Sequence, residues 1–511
     1  MQQSSQYKPQ ITSSLQSTAA KGLAWIGAAQ LVTQFLGLLT TVVLARLLQP
    51  AEFGLVAMAN IVIGFVSVIN GLGLGAAIIQ KSELKDKHLN SVFIANILLG
   101  VTLFLLLLAT SPIIAWFYDK PDVQPIIWVL ALTLLLGGGS ATQNVLLTKK
   151  MRYNSLAKIT LVGTVSQAIV SILLALAHFG SWALVLGQLV KTVILSIGFW
   201  LFTDWRPRLE FDRQAFKEMI TFGLNTLGSQ LTGYASTNID NLIVGKFLGA
   251  TSLGYYSLAY RWSALPRQKL LGSVNEVMFP AFSMIQNDDA RLRSGYIRLL
   301  SYISFITFPL CIGIVIIAPR LVPLIYTDKW APAVLPLQIL SLGAIITTIG
   351  SPMGLIFNAK GRADLDFKIR IISTLLLIFL ILIGLRFGLV GVAVGVSLKS
   401  FILIWILGAK VNDLIDLKLS TYLTAFTPAT VATLLMAVVL LFIQIFLDGF
   451  TSLNSFNYIL IVIMVGITVY IGAIKLLNPP QWSDFIKLIL QMFPHPPFLN
   501  RIFILVEQIL I

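Results

Sequence analysis

Residues 22–59 read GLAWIGAAQLVTQFLGLLTTVVLARLLQPAEFGLVAMA, and residues 222–260 read FGLNTLGSQLTGYASTNIDNLIVGKFLGATSLGYYSLAY. Laid together without gaps, Gln30-Leu31 falls on Gln230-Leu231, Arg46 on Lys246, Leu48 on Leu248, Gly54 on Gly254 and Ala59 on Ala259. Each copy is a long apolar run, a basic residue, a short turn with glycine, and a second apolar run. That is a membrane hairpin used twice, and an internal repeat decides the architecture before any single helix does.

The rest of the repeat lies further along. Lys150-x-Arg152 with Lys158 returns as Lys360-x-Arg362 with Lys368. The run FGSWALVLGQLVKTVIL (179–195) returns as FGLVGVAVGVSLKSFIL (387–403), with Gly187 on Gly395 and Lys191-Thr192 on Lys399-Ser400. Each copy holds six apolar spans. An even number gives both copies one orientation, and parallel repeats of this kind are related by an axis along the membrane normal, with a substrate site between them near the midplane.

Composition agrees. Of 511 residues, 57% are hydrophobic and 11% charged, against about a quarter charged in soluble domains. Apolar runs of membrane-spanning length recur from end to end. The expected fold is an all-α polytopic membrane protein of about fourteen transmembrane helices: two six-helix lobes as parallel repeats, then two unpaired helices. The spans are expected near 22–48, 53–80, 90–117, 123–148, 155–178, 181–203, 219–247, 252–285, 296–326, 331–358, 364–386, 388–410, 421–447 and 457–477. The corresponding domains are a Ser/Gln/Thr-rich tail (1–19), an N-lobe (20–203), a basic connector (204–218), a C-lobe (219–411), the last two spans (412–478) and an interfacial tail (479–511). In that tail Ser483 is expected to cap a short amphipathic helix, with a second one near 498–511. The apolar stretch after residue 20 is too long for a signal peptide.

The net charge of +15 belongs to loops. Alternate connections carry Lys81, Lys85, Lys87; Lys149, Lys150, Arg152, Lys158; Arg206, Arg208, Arg213, Lys217; Arg291, Arg293, Arg298; Lys360, Arg362, Lys368, Arg370; and Lys410, Lys418. The intervening ones carry Arg46, Lys120, Lys246, Arg320, Lys329 and Arg386. The bias is roughly threefold and places the basic loops, and both termini, in the cytoplasm. It argues against a nucleic-acid partner. One cysteine, Cys311, and three scattered histidines leave no disulfide and no metal-ligand cluster. The Gly71-x-Gly73-x-Gly75 run is no nucleotide fingerprint, and there is no P-loop; the glycines favour close helix approach or bending.

LARLLQPAEFGLVAMA (44–59) and DNLIVGKFLGATSLGYYSLAYR (240–261) resemble the Wzx-type polysaccharide flippases, of the branch related to colanic-acid export, in the multidrug/oligosaccharidyl-lipid/polysaccharide superfamily. The likeness covers about residues 20–410, with Arg46, Pro50, Gly54, Lys246 and Gly254 as motif and repeat positions. Glu52 stands where the family usually has aspartate. The resemblance implies a fourteen-helix, two-lobed transporter of the bacterial inner membrane. Its substrate would be an undecaprenyl-pyrophosphate-linked oligosaccharide for O-antigen, capsule or exopolysaccharide, which polymerase and chain-length machinery would then receive.

The candidate site rests on ionisable residues inside spans, each costing about 2.5–3.5 kcal/mol to insert and so tending to face a cavity or a partner. Lys191 lies about 18 Å into its helix, at 1.5 Å per residue, and Lys399 takes the same depth in the other repeat. That is too deep for a lysine to snorkel to the headgroups. Arg261, Arg267, Lys269 and Glu276 share the eighth span around Pro266; at 100° per residue Arg261, Lys269 and Glu276 fall within about 80° of arc and Arg267 well off it, a register that a kink at Pro266 would break. Cations at Lys191, Arg261, Arg267, Lys269 and Lys399 suit a pyrophosphate, arginine with a bidentate fork; a Lys269–Glu276 ion pair is the structural alternative. Asp240 beside Asn241, together with Glu276, is the candidate for coupling to Na⁺ or H⁺; Asp240 could instead pair with Lys246. No other cofactor is implied.

Two rival classes fit less well. A drug or cation antiporter of the same superfamily would want an acidic or apolar site. A membrane polysaccharide polymerase or ligase would want a large outer loop, and the longest one expected, around 319–332, is about a dozen residues. A non-enzymatic transporter is the expectation.

Overall fold

The computed structural model describes residues 13–81, 83–448 and 454–492, and among them all regular structure is helical. The helices are α1 (Ser13–Leu47), α2 (Pro50–Gly71), α3 (Leu74–Gln80), α4 (Asp86–Tyr118), α5 (Val123–Lys149), α6 (Tyr153–Leu176), α7 (Ser181–Phe202), α8 (Arg213–Met284) and α9 (Asp289–Tyr326). They continue as α10 (Val334–Gly350), α11 (Met353–Ala359), α12 (Ala363–Gly384), α13 (Gly388–Ile415), α14 (Leu419–Thr424), α15 (Thr427–Asp448), α16 (Ser455–Leu477) and α17 (Pro480–Met492). By length and apolarity, eleven segments among the described residues qualify as membrane spans. One of these, Ala363–Ile415, comprises both α12 and α13. The 72-residue α8, which holds two of the expected spans, carries too many polar residues to qualify; with α12 and α13 counted together, this criterion gives eleven rather than the expected fourteen.

Several expectations shift. Residues 13–19, expected as tail, begin α1. The second span is two helices, because Leu72 (φ 41°) and Gly73 (φ 63°) turn left-handed between them. That is the bend the glycine run foreshadowed. α8 is broken at Gly249 (φ 79°, ψ 179°) and keeps helical φ/ψ through Pro266 and Pro280, so the register there is undisturbed. α17 starts at Pro480, a favoured first helical position. Ser483 is therefore inside it, donating to the Pro480 carbonyl at 3.1 Å instead of capping. The helix expected near 498–511 lies outside the described residues.

The repeat is written in the turns. Met151 (φ 53°) and Gly361 (φ 69°) occupy the same left-handed position between paired helices. Arg152 N–H closes on Leu147 O at 2.9 Å, and Arg362 N–H on Phe357 O at 2.7 Å. Such a turn ends a helix by satisfying its last carbonyls. Gly180 (φ 58°) likewise precedes α7, and Gly388 (φ 64°) opens α13. A Cβ on Gly187 would stand 1.9 Å from Ser171 Oγ, and one on Gly395 2.9 Å from Leu380 O. In both repeats the absent side chain lets the fifth and sixth helices touch.

The chain divides into two compact units, Met1–Gly254 and Tyr255–Ile511. The first limb of α8 thus groups with the helices before it, whereas the six-and-six repeat assigns it to those after. In the first unit α5 packs against α2, α4 and α7, and α6 against α1 and α7. In the second, α9 packs against α10, α15, α16 and α17. The unpaired α15 and α16 dock through Gln444 Nε2 to Ile316 O at 3.1 Å and Tyr470 Oη to Phe305 O at 2.8 Å. α17 buries Trp482, Phe485 and Ile486, with Trp482 edge-on to Phe305 at 5.3 Å.

Candidate functional site

The two motif copies meet each other. Gly54 on α2 lies against Ala250: a Cβ at Gly54 would stand 1.7 Å from Ala250 O. Gly254 lies against Pro50, with the corresponding gap 2.1 Å to Pro50 O. Position 250 is the repeat equivalent of position 50, so the contact is reciprocal. Pro50, Gly54 and Gly254 are buried, while Arg46 is exposed. Proline at the first position of α2 lacks only an N–H that the helix would leave unbonded anyway. Glu52 accepts the Gln49 N–H at 2.6 Å, so the departure from aspartate still caps the helix. Lys246 closes the same end through Asp119 Oδ2 at 2.7 Å, its ammonium 5.4 Å from the Phe117 ring centroid.

A polar face runs along α2, α7 and the first limb of α8. Gln188 Nε2 donates to Asn60 Oδ1 at 3.2 Å, and Tyr234 Oη to Ile61 O at 2.9 Å. Tyr234 fits because Gly64 is bare: a Cβ there would meet its hydroxyl at 2.2 Å. Lys191, three residues after Gln188, is half-buried, its Cγ 3.5 Å from where a Cβ on Gly163 would stand. Asp240 is buried, its Oδ1 accepting the Asn241 backbone N–H at 2.8 Å and Nδ2 at 3.1 Å. Amides, a phenol and an ammonium along one face offer donors and acceptors for hydroxyl-rich or anionic ligands.

The second unit holds Arg261, exposed, and Arg267 and Lys399, both half-buried. Lys269 and Glu276 fall in 268–277, whose side chains lie outside the described residues. Sequence reasoning missed Asn60, Gln188, Tyr234 and Asp119. Gln188, one turn from Lys191, carried a signal; the Lys246–Asp119 pair, separated by 127 positions, carried none.

The connector is pinned at the opposite, basic-loop end. Asp212 Oδ1 accepts the Ala215 N–H at 2.9 Å, capping α8, and Asp212 Oδ2 lies 3.2 Å from Lys87. The Ala215 N–H first, and Lys87 beside it, hold the Asp212 carboxyl below its ordinary range. Glu218, 2.5 Å from Lys81, is lowered in the same way, chiefly by that ammonium. Among the described residues no group of three or more metal-ligating side chains occurs.

A duplicated helical unit whose copies clasp through glycine, with polar faces inside apolar spans, defines a multi-pass membrane protein of transporter architecture. The chain belongs to the polysaccharide biosynthesis protein family, whose model matches residues 43–335. It is similar to the lipopolysaccharide biosynthesis protein WzxC of Escherichia coli (strain K12), 29% identical over 409 residues, 79% of this chain and 82% of that one. It is also similar to the teichuronic acid biosynthesis protein TuaB of Bacillus subtilis (strain 168), 29% identical over 365 residues, 70% of this chain and 74% of that one. Its fold is similar to that of the lipid II flippase MurJ in an inward closed conformation. The TM-score is 0.73 and the identity 20%, over 88% of this chain and 98% of that one; at that identity the likeness is one of fold.

Proposed function

We propose that the protein is a flippase that exports a lipid-linked oligosaccharide unit for cell-surface polysaccharide assembly. The family match over residues 43–335 carries this reading, since it spans both motif copies, Lys191, Asp240 and Arg261. The fold shared with a lipid II flippase supports a lipid-linked cargo over a soluble sugar. The carrier is undecaprenyl pyrophosphate, whose charge suits Lys191, Arg261, Arg267, Lys269 and Lys399. Transport proceeds by alternating access of the repeats at 20–203 and 219–411, through about fourteen crossings, with both termini cytoplasmic in the bacterial inner membrane. Asp240, with Asn241 and Glu276, couples transport to Na⁺ or H⁺. The protein makes no covalent change in its cargo and passes it to polymerase and chain-length machinery.

The basic intramembrane residues speak against a cationic-drug antiporter. The test is deletion of the gene followed by extraction of lipid-linked glycans. Loss of one surface polysaccharide with accumulation of its lipid-linked unit on the cytoplasmic side is expected. A surface glycan profile unchanged by the deletion, with no intermediate accumulating, defeats the reading.

A further inference from the structure

On the outer flank of the first unit, α4, α5 and α7 enclose a groove of about 430 Å³ lined by Phe93, Ile97, Leu136, Gly139, Ser196 and Trp200. It runs about 8 Å along the helices, at 1.5 Å per residue over Ser196–Leu201. Its rim is apolar and open, with Ile197 53% and Leu201 73% exposed.

The polar groups on its wall are already bonded. Ser196 Oγ lies 3.0 Å from Ser140 Oγ and 3.0 Å from Leu136 O, and Trp200 Nε1 donates to Gly139 O at 2.9 Å. A sugar would find no partner on such a wall, and an unbonded hydroxyl there would pay for its own desolvation. A hydrocarbon chain loses nothing.

Position separates the groove from the polar face. At 100° per residue on α7, Ser196, Ile197, Trp200 and Leu201 centre about 180° from Gln188 and Lys191. The groove therefore faces away from the polar face, on a surface that in a multi-pass protein meets the bilayer. Its basic-loop end is cationic. The Arg206 guanidinium stacks 5.8 Å from the Trp200 ring centroid. Arg152 Nη1 donates to Phe202 O at 2.9 Å, just past the rim, and lies 3.4 Å from Asp204 Oδ2. An apolar slot, an interfacial indole and a guanidinium at its end match an acyl chain and an anionic headgroup.

We propose that this groove is a binding site for an anionic glycerophospholipid of the leaflet facing the basic loops, one acyl chain seated against Gly139 and Trp200 and the headgroup phosphate at Arg206. The inference goes beyond the export reading and does not depend on it.

The test uses the full-length protein in nanodiscs containing phosphatidylglycerol or phosphatidylcholine with brominated acyl chains. The readout is the fluorescence component lost in Trp200→Phe, which isolates this indole from the other tryptophans. Brominated phosphatidylglycerol is expected to quench it at about fivefold lower mole fraction than brominated phosphatidylcholine, the preference one surface cation supplies. Arg206→Gln is expected to erase the preference. Gly139→Leu is expected to abolish quenching by either lipid, since a Cβ at Gly139 meets nothing within 4 Å and leucine fills the slot without straining a helix. Equal quenching by the two lipids, or quenching that survives Gly139→Leu, would reduce the groove to ordinary bilayer contact. Displacement of the brominated lipid by an isoprenyl pyrophosphate at equal mole fraction would assign the groove to a transported lipid and overturn the proposal.

Discussion

Gly54→Ala adds one methyl group where two backbones already touch. The new carbon would stand 1.7 Å from Ala250 O, and carbon–oxygen contact begins near 3.3 Å, so the two segments must part by about 1.6 Å. At Gly254→Ala the gap is 2.1 Å to Pro50 O and the displacement about 1.2 Å on the same basis. Overpacking of this kind costs about 1–3 kcal/mol. Helix propensity alone has the opposite sign, favouring alanine by up to about 1 kcal/mol, so the direction of the effect isolates the contact. The two substitutions should also be less than additive, because a clasp parted by one methyl has room for the other. The assay is maleimide labelling of Ala250→Cys in a Cys311→Ser background; Ala250 is 5% exposed. A population shift of about 1–3 kcal/mol raises the labelling rate roughly 5- to 150-fold, alongside a lower melting temperature. Unchanged labelling with a raised melting temperature would refute the close approach.

Three further outcomes are expected. Export by Lys191→Gln and Lys399→Gln should fall at matched membrane abundance while Lys→Arg retains part of it; wild-type export by Lys191→Met and Lys399→Met would make these lysines a relic of duplication. Asp240→Asn should keep abundance near normal and abolish ion-dependent export, and unchanged export would remove Asp240 from the mechanism. Because the Asp212 carboxyl is held below its ordinary range, its stabilisation is complete above about pH 4 and lost as the pH falls through the lowered value. The protection of the Ala215 amide against hydrogen exchange, taken relative to a free amide at the same pH, should therefore stay high at pH 5–8 and fall only in stronger acid, while Asp212→Ala should lower it at pH 5–8 and make little difference in acid.

Much of the fold was legible because lipid enforces it: a lipid-facing span must be largely apolar, so helix edges at residues such as Phe202 and Leu477 show as changes of composition. The repeat was legible because glycine positions survive where backbones touch, as at Gly187 and Gly395. What escaped depends on where helices meet. On paper the carboxylate offered to Lys246 was Asp240, six positions away, whereas the tertiary arrangement of α4 places Asp119 beside it. Gly249 looked like one residue of an ordinary loop, yet α8 resumes directly after it. Tyr234 drew no notice in the sequence; its place follows from the bare Gly64 opposite, a pairing across 170 positions that periodicity does not encode.

The reciprocity of the clasp has a consequence for ancestry. Residue 54 touching 250 while 254 touches 50 is the pattern of an isologous interface, in which one surface meets a second copy of itself. An ancestor with a single copy could have made the same contact as a symmetric homodimer. Fusion of two such copies would fix the stoichiometry and release them from identity. One flank of the clasp carries Pro50 after an extended Gln49, the other Ala250 after a left-handed Gly249. Gly54 and Gly254, each against the backbone of the other copy, stand at the same position in both.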